Sequence, residues 1–246
     1  MAGDERAAPM SRWDILLSVQ EHDTQIDQAV HRRIALPARG ELDKVMVTLG
    51  TIEREVAEVE GRRHDLGRDQ LRLEDGIATL VDKAAQHDKA LYSGSVTNPR
   101  ELQAMQEEIA ALQRRISQLE DQELELMEQI EPLDADLVRL ADAQVAGDEA
   151  AVLLRATIAE AEVSIDRELG QLRSERAELS GGVDPELITE YETLRTQGGG
   201  IGIARLVGRS CGGCHLGLSA VEVDRLKKLA PDETAHCEEC GRLLAR

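Results

Sequence analysis

Leu91-Tyr92-Ser93-Gly94-Ser95-Val96-Thr97-Asn98-Pro99-Arg100-Glu101-Leu102 is the stretch on which the fold turns. Ser93-Gly94-Ser95 breaks a helix, and Asn98-Pro99 starts another: Asn98 caps, Pro99 suits the first helical position, and Glu101 stands at N3 of a capping box. On both sides lies a long helix-forming segment. Before the break, apolar residues recur at steps of three and four through Val45, Leu49, Ile52, Val56, Val59, Leu66, Leu73, Ile77, Leu80 and Leu91. After it the rhythm resumes through Leu102, Met105, Ile109, Leu112, Ile116, Leu119, Leu126, Ile130, Leu133, Leu137 and Leu140, and on to Leu172. A repeat of about 3.5 residues is the seam of a left-handed coiled coil. The chain is therefore expected to fold back at residues 93–98 into an antiparallel two-helix hairpin.

If Leu91 faces Leu102, residue i faces roughly residue 193 − i. Trp13 then meets the neighbourhood of Ser180, where Ser180-Gly181-Gly182 ends the second arm, and Gln70 shares a polar layer with Glu123. Arms of this length would span roughly 120 Å at helical rise. Leu36-Pro37 predicts a break in the first arm, Pro132 a bend in the second, and Gly147 a thin layer. Arg63 and His87 are further polar positions on the seam, and His87 reads as a partly exposed filler.

Beyond the hairpin, Asp184-Pro185-Glu186-Leu187 opens a short helix bearing Tyr191, and Gly198-Gly199-Gly200 reads as a flexible joint. Ile201–Val207 predicts a strand, Ser219 with Glu222 caps a helix running to Leu229, and Leu243-Leu244 a terminal strand. The resulting division is a disordered tail at 1–10, the hairpin at 11–182, a connecting helix at 183–197 and a small module at 198–246. The fold class is mostly α: a long antiparallel coiled-coil hairpin followed by a C-terminal four-cysteine ribbon.

Composition agrees with a thin core. The chain has no Phe, two Tyr and one Trp. Its net charge is −19, placed unevenly. Residues 1–197 hold 22 Lys/Arg against 42 Asp/Glu, and residues 198–246 hold 7 against 6. The acidic arms repel phosphate, so nucleic acid, if bound at all, belongs to the last fifty or so residues or the tip. No run has the length of a transmembrane helix and no signal peptide is evident, so a cytoplasmic protein with no membrane contact is expected. Acid–base catalysis needs a concave apolar pocket, which two paired helices do not offer, and no phosphate loop or nucleophile motif is present. The chain reads as a non-enzyme without a small-molecule substrate.

The four cysteines form two C-x2-C pairs, Cys211-Gly212-Gly213-Cys214 and Cys237-Glu238-Glu239-Cys240, 22 residues apart. Two such turns make a tetrahedral S4 site with no open position, which is structural and suits one Zn2+. Iron in a rubredoxin-like site is the main rival; a redox dithiol does not require two pairs at this spacing. His215 and His236 flank the cysteines and are read as bystanders, because four thiolates complete the shell.

Two surfaces are candidates for partners. At the tip, Tyr92, Val96, Asn98 and Arg100 sit on a turn carried by a rigid scaffold, a common arrangement for protein docking; the alternative is that Asn98, Pro99 and Glu101 only build the turn. On the ribbon, Arg205, Arg209, Arg225, Lys227, Lys228, Arg242 and Arg246 are the cations available to nucleic acid. Glu222, Asp224, Glu238 and Glu239 lie among them and no aromatic residue can stack on bases, which favours an ordinary solvated surface. Acidic runs such as Glu120-Asp121 with Glu123 and Glu125 read as solvated helix faces.

The tip from Tyr92 to Gln103, the Cys-Gly-Gly-Cys knuckle, and the terminal Cys237-to-Arg246 segment together resemble the bacterial C4-type zinc-ribbon proteins with a long coiled-coil hairpin. The resemblance covers nearly the whole chain; the tail and the Leu36-Pro37 break do not contribute to it. It implies an elongated two-part protein without known catalysis. In branches of that family it implies binding of an alternative sigma factor, of flagellar or secretion components, or of RNA. The leading expectation is a zinc-binding adaptor for protein partners, the alternative a nucleic-acid-binding regulator acting through the ribbon.

Overall fold

The computed structural model describes residues 10–246, so the tail expected at 1–10 lies, except for Met10, outside the described residues. Four helices account for most of the chain: α1 (Arg12–Ile34), α2 (Pro37–Tyr92), α3 (Pro99–Ser180) and α4 (Pro185–Gln197). The ribbon adds β1 (Ile203–Val207), β2 (Ser210–Cys211), α5 (Ala220–Lys228) and β3 (Leu243–Ala245). The chain divides into two compact units, residues 40–155 and residues 10–39 with 156–246.

Residues 40–155 contain the fold-back. Asn98 caps α3 by accepting from Arg100 N–H at 3.0 Å, and its amide donates to Glu101 at 3.4 Å, so Glu101 meets the side chain of the cap and not its backbone. The seam buries Leu49 and Ile52 of α2 and Leu119, Ile130, Leu133, Leu140 and Ala151 of α3 below one-tenth exposure, and leaves most other seam positions half-buried. The arms pair in a register displaced from the one expected. A Cβ on Gly76 would lie 3.6 Å from Leu119, and one on Gly147 would lie 2.7 Å from Leu49. Arg63 pairs with Asp134 at 3.0 Å and His87 approaches Glu108 at 3.8 Å. Each partner stands two to four residues beyond the position 193 − i. Knobs entering holes set the register, not the midpoint of the loop. Of the polar layer expected from Gln70 and Glu123, the Gln70 amide donates to Glu74 on its own helix at 3.0 Å. Pro132 lies inside α3, which runs unbroken past it with one backbone donor missing.

In the other unit, Ser11 caps α1, and Ala35-Leu36 separates it from α2, which opens on Pro37. Cross-arm ion pairs join Arg32 to Glu168, Arg33 to Asp166 and Arg39 to Glu162. Ala29, Ile165 and Leu169 form a small core around the break, with Ile26 and Leu36 against it. Trp13 lies near the close of α3, as the length match predicts, and packs with Val183, Leu187 and Tyr191.

The ribbon sheet has the order β2-β1-β3, β1 antiparallel to β2 and parallel to β3. Both its faces are covered. Ile203, Leu243 and Ala245 point into a core with Trp13, Leu16, Val19, Leu187 and Tyr191, whereas Ala204 and Leu244 point into a second core with Cys211, Leu218, Val223, Leu226 and Cys237. Alternation along a strand sends successive side chains to opposite faces, which lets three short strands bind two cores at once.

Candidate metal centre

The two cysteine pairs fold into the same turn. Cys211 N–H donates to Leu216 C=O at 3.0 Å and Cys237 N–H to Arg242 C=O at 2.9 Å. The residue after each pair returns a bond to the first cysteine: His215 N–H to Cys211 C=O and Gly241 N–H to Cys237 C=O, both at 2.8 Å. That residue has a left-handed backbone in each case, φ 63° at His215 and 73° at Gly241. The second knuckle uses glycine there, as its geometry favours. The first uses a histidine, so His215 serves the turn and stays exposed.

The turns converge. All four Sγ atoms lie within 4.8 Å of one another, with 4.0 Å from Cys211 to Cys240 and 3.9 Å from Cys214 to Cys237. A tetrahedral ion with Zn–S bonds near 2.3 Å sets its sulfurs about 3.8 Å apart, so the arrangement fits one zinc held by Cys211, Cys214, Cys237 and Cys240. Gly213 N–H points at the Cys211 sulfur at 3.4 Å. The Gly-Gly of the first knuckle is a packing requirement. A Cβ on Gly212 would meet Arg205 C=O at 2.9 Å, and one on Gly213 would meet Arg242 Cδ at 3.0 Å and Ala204 Cβ at 3.1 Å. The Glu-Glu of the second knuckle faces solvent.

Without metal the thiols ionise unequally. Burial pushes Cys237 up to about 12, against the pull of the Glu239 and Cys240 N–H groups. Burial opposes ionisation at Cys240 too, but Arg242, through backbone and guanidinium, and the neighbouring sulfurs bring it down to about 7. Zinc has to displace the Cys237 proton at neutral pH. His236 does not join the four sulfurs, and its Nε2 is engaged by Glu190 at 2.8 Å.

The ribbon's cations are mostly committed. Arg205 pairs with Asp14 at 2.9 Å; the Ser11 hydroxyl and then Arg205 hold the Asp14 carboxyl below its ordinary value. Arg225 grips Glu222 through two bonds and Lys228 pairs with Asp224 at 2.6 Å. Arg242 turns inward, donating to Ile201 and Gly198 carbonyls. Arg246 closes the end of α5 on Leu226, Leu229 and Ala230 carbonyls. Arg209 and Lys227 make no recorded pair among the described residues.

Sequence reasoning missed the polar anchor beneath the ribbon. Tyr191, fully buried, donates from its hydroxyl to Asp23 at 2.7 Å; Arg176 holds the same carboxylate at 3.1 Å. Burial, and then Asp23, raise the Tyr191 hydroxyl well above its ordinary pKa, so it stays a donor. The available signal was Gln20 and Asp23 standing among Leu16, Val19 and Ile26 on the apolar face of α1. Gln20 adds two bonds, accepting from Gly202 N–H at 2.7 Å and donating to Gly200 C=O at 2.9 Å. Gly198-Gly199-Gly200 is accordingly tied by Gln20, Arg242 and a bond from Gly200 N–H to Arg195 C=O, in place of the flexible joint expected. At the tip, Tyr92 is 80% exposed, Asn98 and Arg100 are exposed and Val96 is half-buried.

Residues 19–199 match the CT398-like coiled coil hairpin domain, and residues 210–244 match the C4-type zinc ribbon domain. The chain belongs to this family. An uncharacterized protein of Mycobacterium tuberculosis is 32% identical over 94% of both chains, and one of Mycobacterium leprae is 28% identical over 90% of this chain and 94% of its own. A solved structure from Mycobacterium smegmatis superposes with a TM-score of 0.84 at 27% identity, covering 98% of this chain and all of its own. CT398 from Chlamydia trachomatis, at 24% identity and a TM-score of 0.67 over 95% and 96% of the two chains, shares the fold. The four cysteines are thus the ligands of one structural zinc, and a coiled-coil hairpin with a zinc ribbon supports a non-enzymatic structural or adaptor protein. Among the described residues no helix is long and apolar enough to cross a membrane.

Proposed function

We propose that this protein is a zinc-stabilised adaptor whose hairpin tip docks a protein partner and whose ribbon offers a second protein-binding surface. The observation that carries this reading is the tip. Tyr92 exposes 80% of its surface and Arg100 is exposed too, at the two ends of a turn tied by Ser93 to Ala90 C=O and to Ser95. Tyr and Arg are the residue types that anchor protein interfaces, and a tied turn loses little further freedom on binding.

The test places a photo-crosslinking residue at Tyr92 and, separately, at the exposed Glu60 of α2, in cells of the source organism. The expected result is a discrete adduct from the tip that Arg100→Ala weakens, with none from position 60. Identical adducts from both positions would sink the docking tip. The nucleic-acid alternative has less support, since five of its seven candidate cations are paired or turned inward, leaving Arg209 and Lys227.

A further inference from the structure

The second arm contains a stretch whose charge is entirely of one sign. Residues 116–138 carry eight carboxylates and no Lys, Arg or His. Asp134 and Asp136 are paired, with Arg63 and Arg139. Glu120, Asp121, Glu123, Glu125, Glu128 and Glu131 have no cation partner recorded among the described residues. Their spacing repeats at three and four: Glu120 with Glu123, Asp121 with Glu125, Glu125 with Glu128, Glu128 with Glu131. Like charges so placed on one helix destabilise it, and a cationic neighbour would relieve every pair.

Apolar side chains stand in the middle of these carboxylates. Leu124 and Met127, off the seam, are 58% and 49% exposed. With Ile130 they floor a groove of about 480 Å³, rimmed by Glu128 and Glu131 on α3 and bounded on α2 by Gln70. A solvated acidic face has no use for this floor. Met is also the side chain that adapts most readily to a partner's shape.

We propose that this groove is a docking site for a cationic amphipathic helix of a partner protein, distinct from the tip and independent of it. The floor takes aliphatic side chains at helical spacing and the rim takes the Lys or Arg that flank them. Charge decides against other occupants. A second copy, itself carrying −19, and any nucleic acid would both bring anions to an anionic rim.

The test uses the full-length protein loaded with zinc and a fluorescein-labelled peptide of about fourteen residues made only of Leu and Lys, segregated on opposite helical faces. A second peptide has the same composition with the faces mixed. Anisotropy should show the segregated peptide binding at least about fivefold more tightly than the mixed one, and both weakening with salt. Leu124→Ala with Met127→Ala should weaken it about tenfold. Glu128→Gln with Glu131→Gln should weaken it severalfold, whereas Glu53→Gln with Glu55→Gln, the same charge change elsewhere on the hairpin, should leave it within about twofold. Circular dichroism confirms that each variant keeps its helix. Equal binding of both peptides, equal losses from the two charge pairs, or no loss on removing the floor would each overturn the proposal. So would a dimer of the free protein that Leu124→Ala with Met127→Ala disperses, since that would put a second copy in the groove.

Discussion

In residues 40–155 each layer is two helices thick, and a seam side chain has one helix to pack against, so most of the seam stays half-buried. In residues 10–39 with 156–246 three short strands lie between two cores, Tyr191, Leu16, Leu243 and Leu226 lose all exposure, and Asp23 is buried among its partners. The first region repeats one modest contact many times; the second concentrates its stability in a few contacts with no substitute. A change in the repetitive seam is shared among neighbours, whereas a change at a unique contact is not.

The sharpest way to break this contrast is to remove the metal. Structural zinc in isolated finger peptides contributes on the order of 10–16 kcal/mol near neutral pH. Cys237→Ser or strong chelation should therefore abolish amide-exchange protection across β1, α5 and β3, and leave protection in residues 40–155 unchanged. Loss of protection in both regions together would show that the contrast is false. Acid should act in the same direction. The Cys237 proton, at about 12 in the free site, and the Cys240 proton, at about 7, both compete with zinc. Zinc affinity should fall as pH drops through 7 and recover as it rises, which a zinc-indicator titration reads directly.

Next in size is Gly202→Ala. The new Cβ would sit 2.5 Å from Tyr191 C=O and 2.7 Å from its ring, against backbone that cannot move alone. A loss of about 2–4 kcal/mol is expected, read as earlier urea unfolding of the ribbon. Tyr191→Phe should cost about 1–3 kcal/mol, because Asp23 loses a donor while remaining buried.

The smallest effects belong to the hairpin seam and its surface. Gly147→Ala brings a Cβ to 2.7 Å from a Leu49 methyl, but that methyl ends a flexible side chain, and alanine favours helix by about 1 kcal/mol. The net change should stay within about 1 kcal/mol of zero. Gly61→Ala meets nothing within 4 Å and should stabilise the helix by about 0.5–1 kcal/mol. A loss at Gly61, seen in thermal unfolding followed at 222 nm, would mean that its surface is already covered.

The hairpin and the metal site were legible because each rests on local chemistry repeated in sequence. The seam announces itself by its period, the fold-back by Asn98-Pro99, and the zinc by four thiols in two identical spacings. The register was not legible, because it depends on which knobs enter which holes, and Leu49 against Gly147 satisfies that as neither residue alone can foretell. Nor were the ribbon's cations: Arg225 and Arg242 look alike as letters, yet one lies on a helix surface against Glu222 and the other caps α4 from within.

Amino-acid order alone thus determined that this chain would double back, wind one helix against another and hold a metal, since periodicity, caps and ligand spacing act over a few residues. Tertiary structure alone decided that Asp23 and Tyr191, 168 positions apart, would share a buried hydrogen bond, that three short strands would serve two cores, and that Leu124 and Met127 would face outward among carboxylates. Burial and pairing between distant residues follow from how surfaces meet in space, and no local rule in the sequence carries that information.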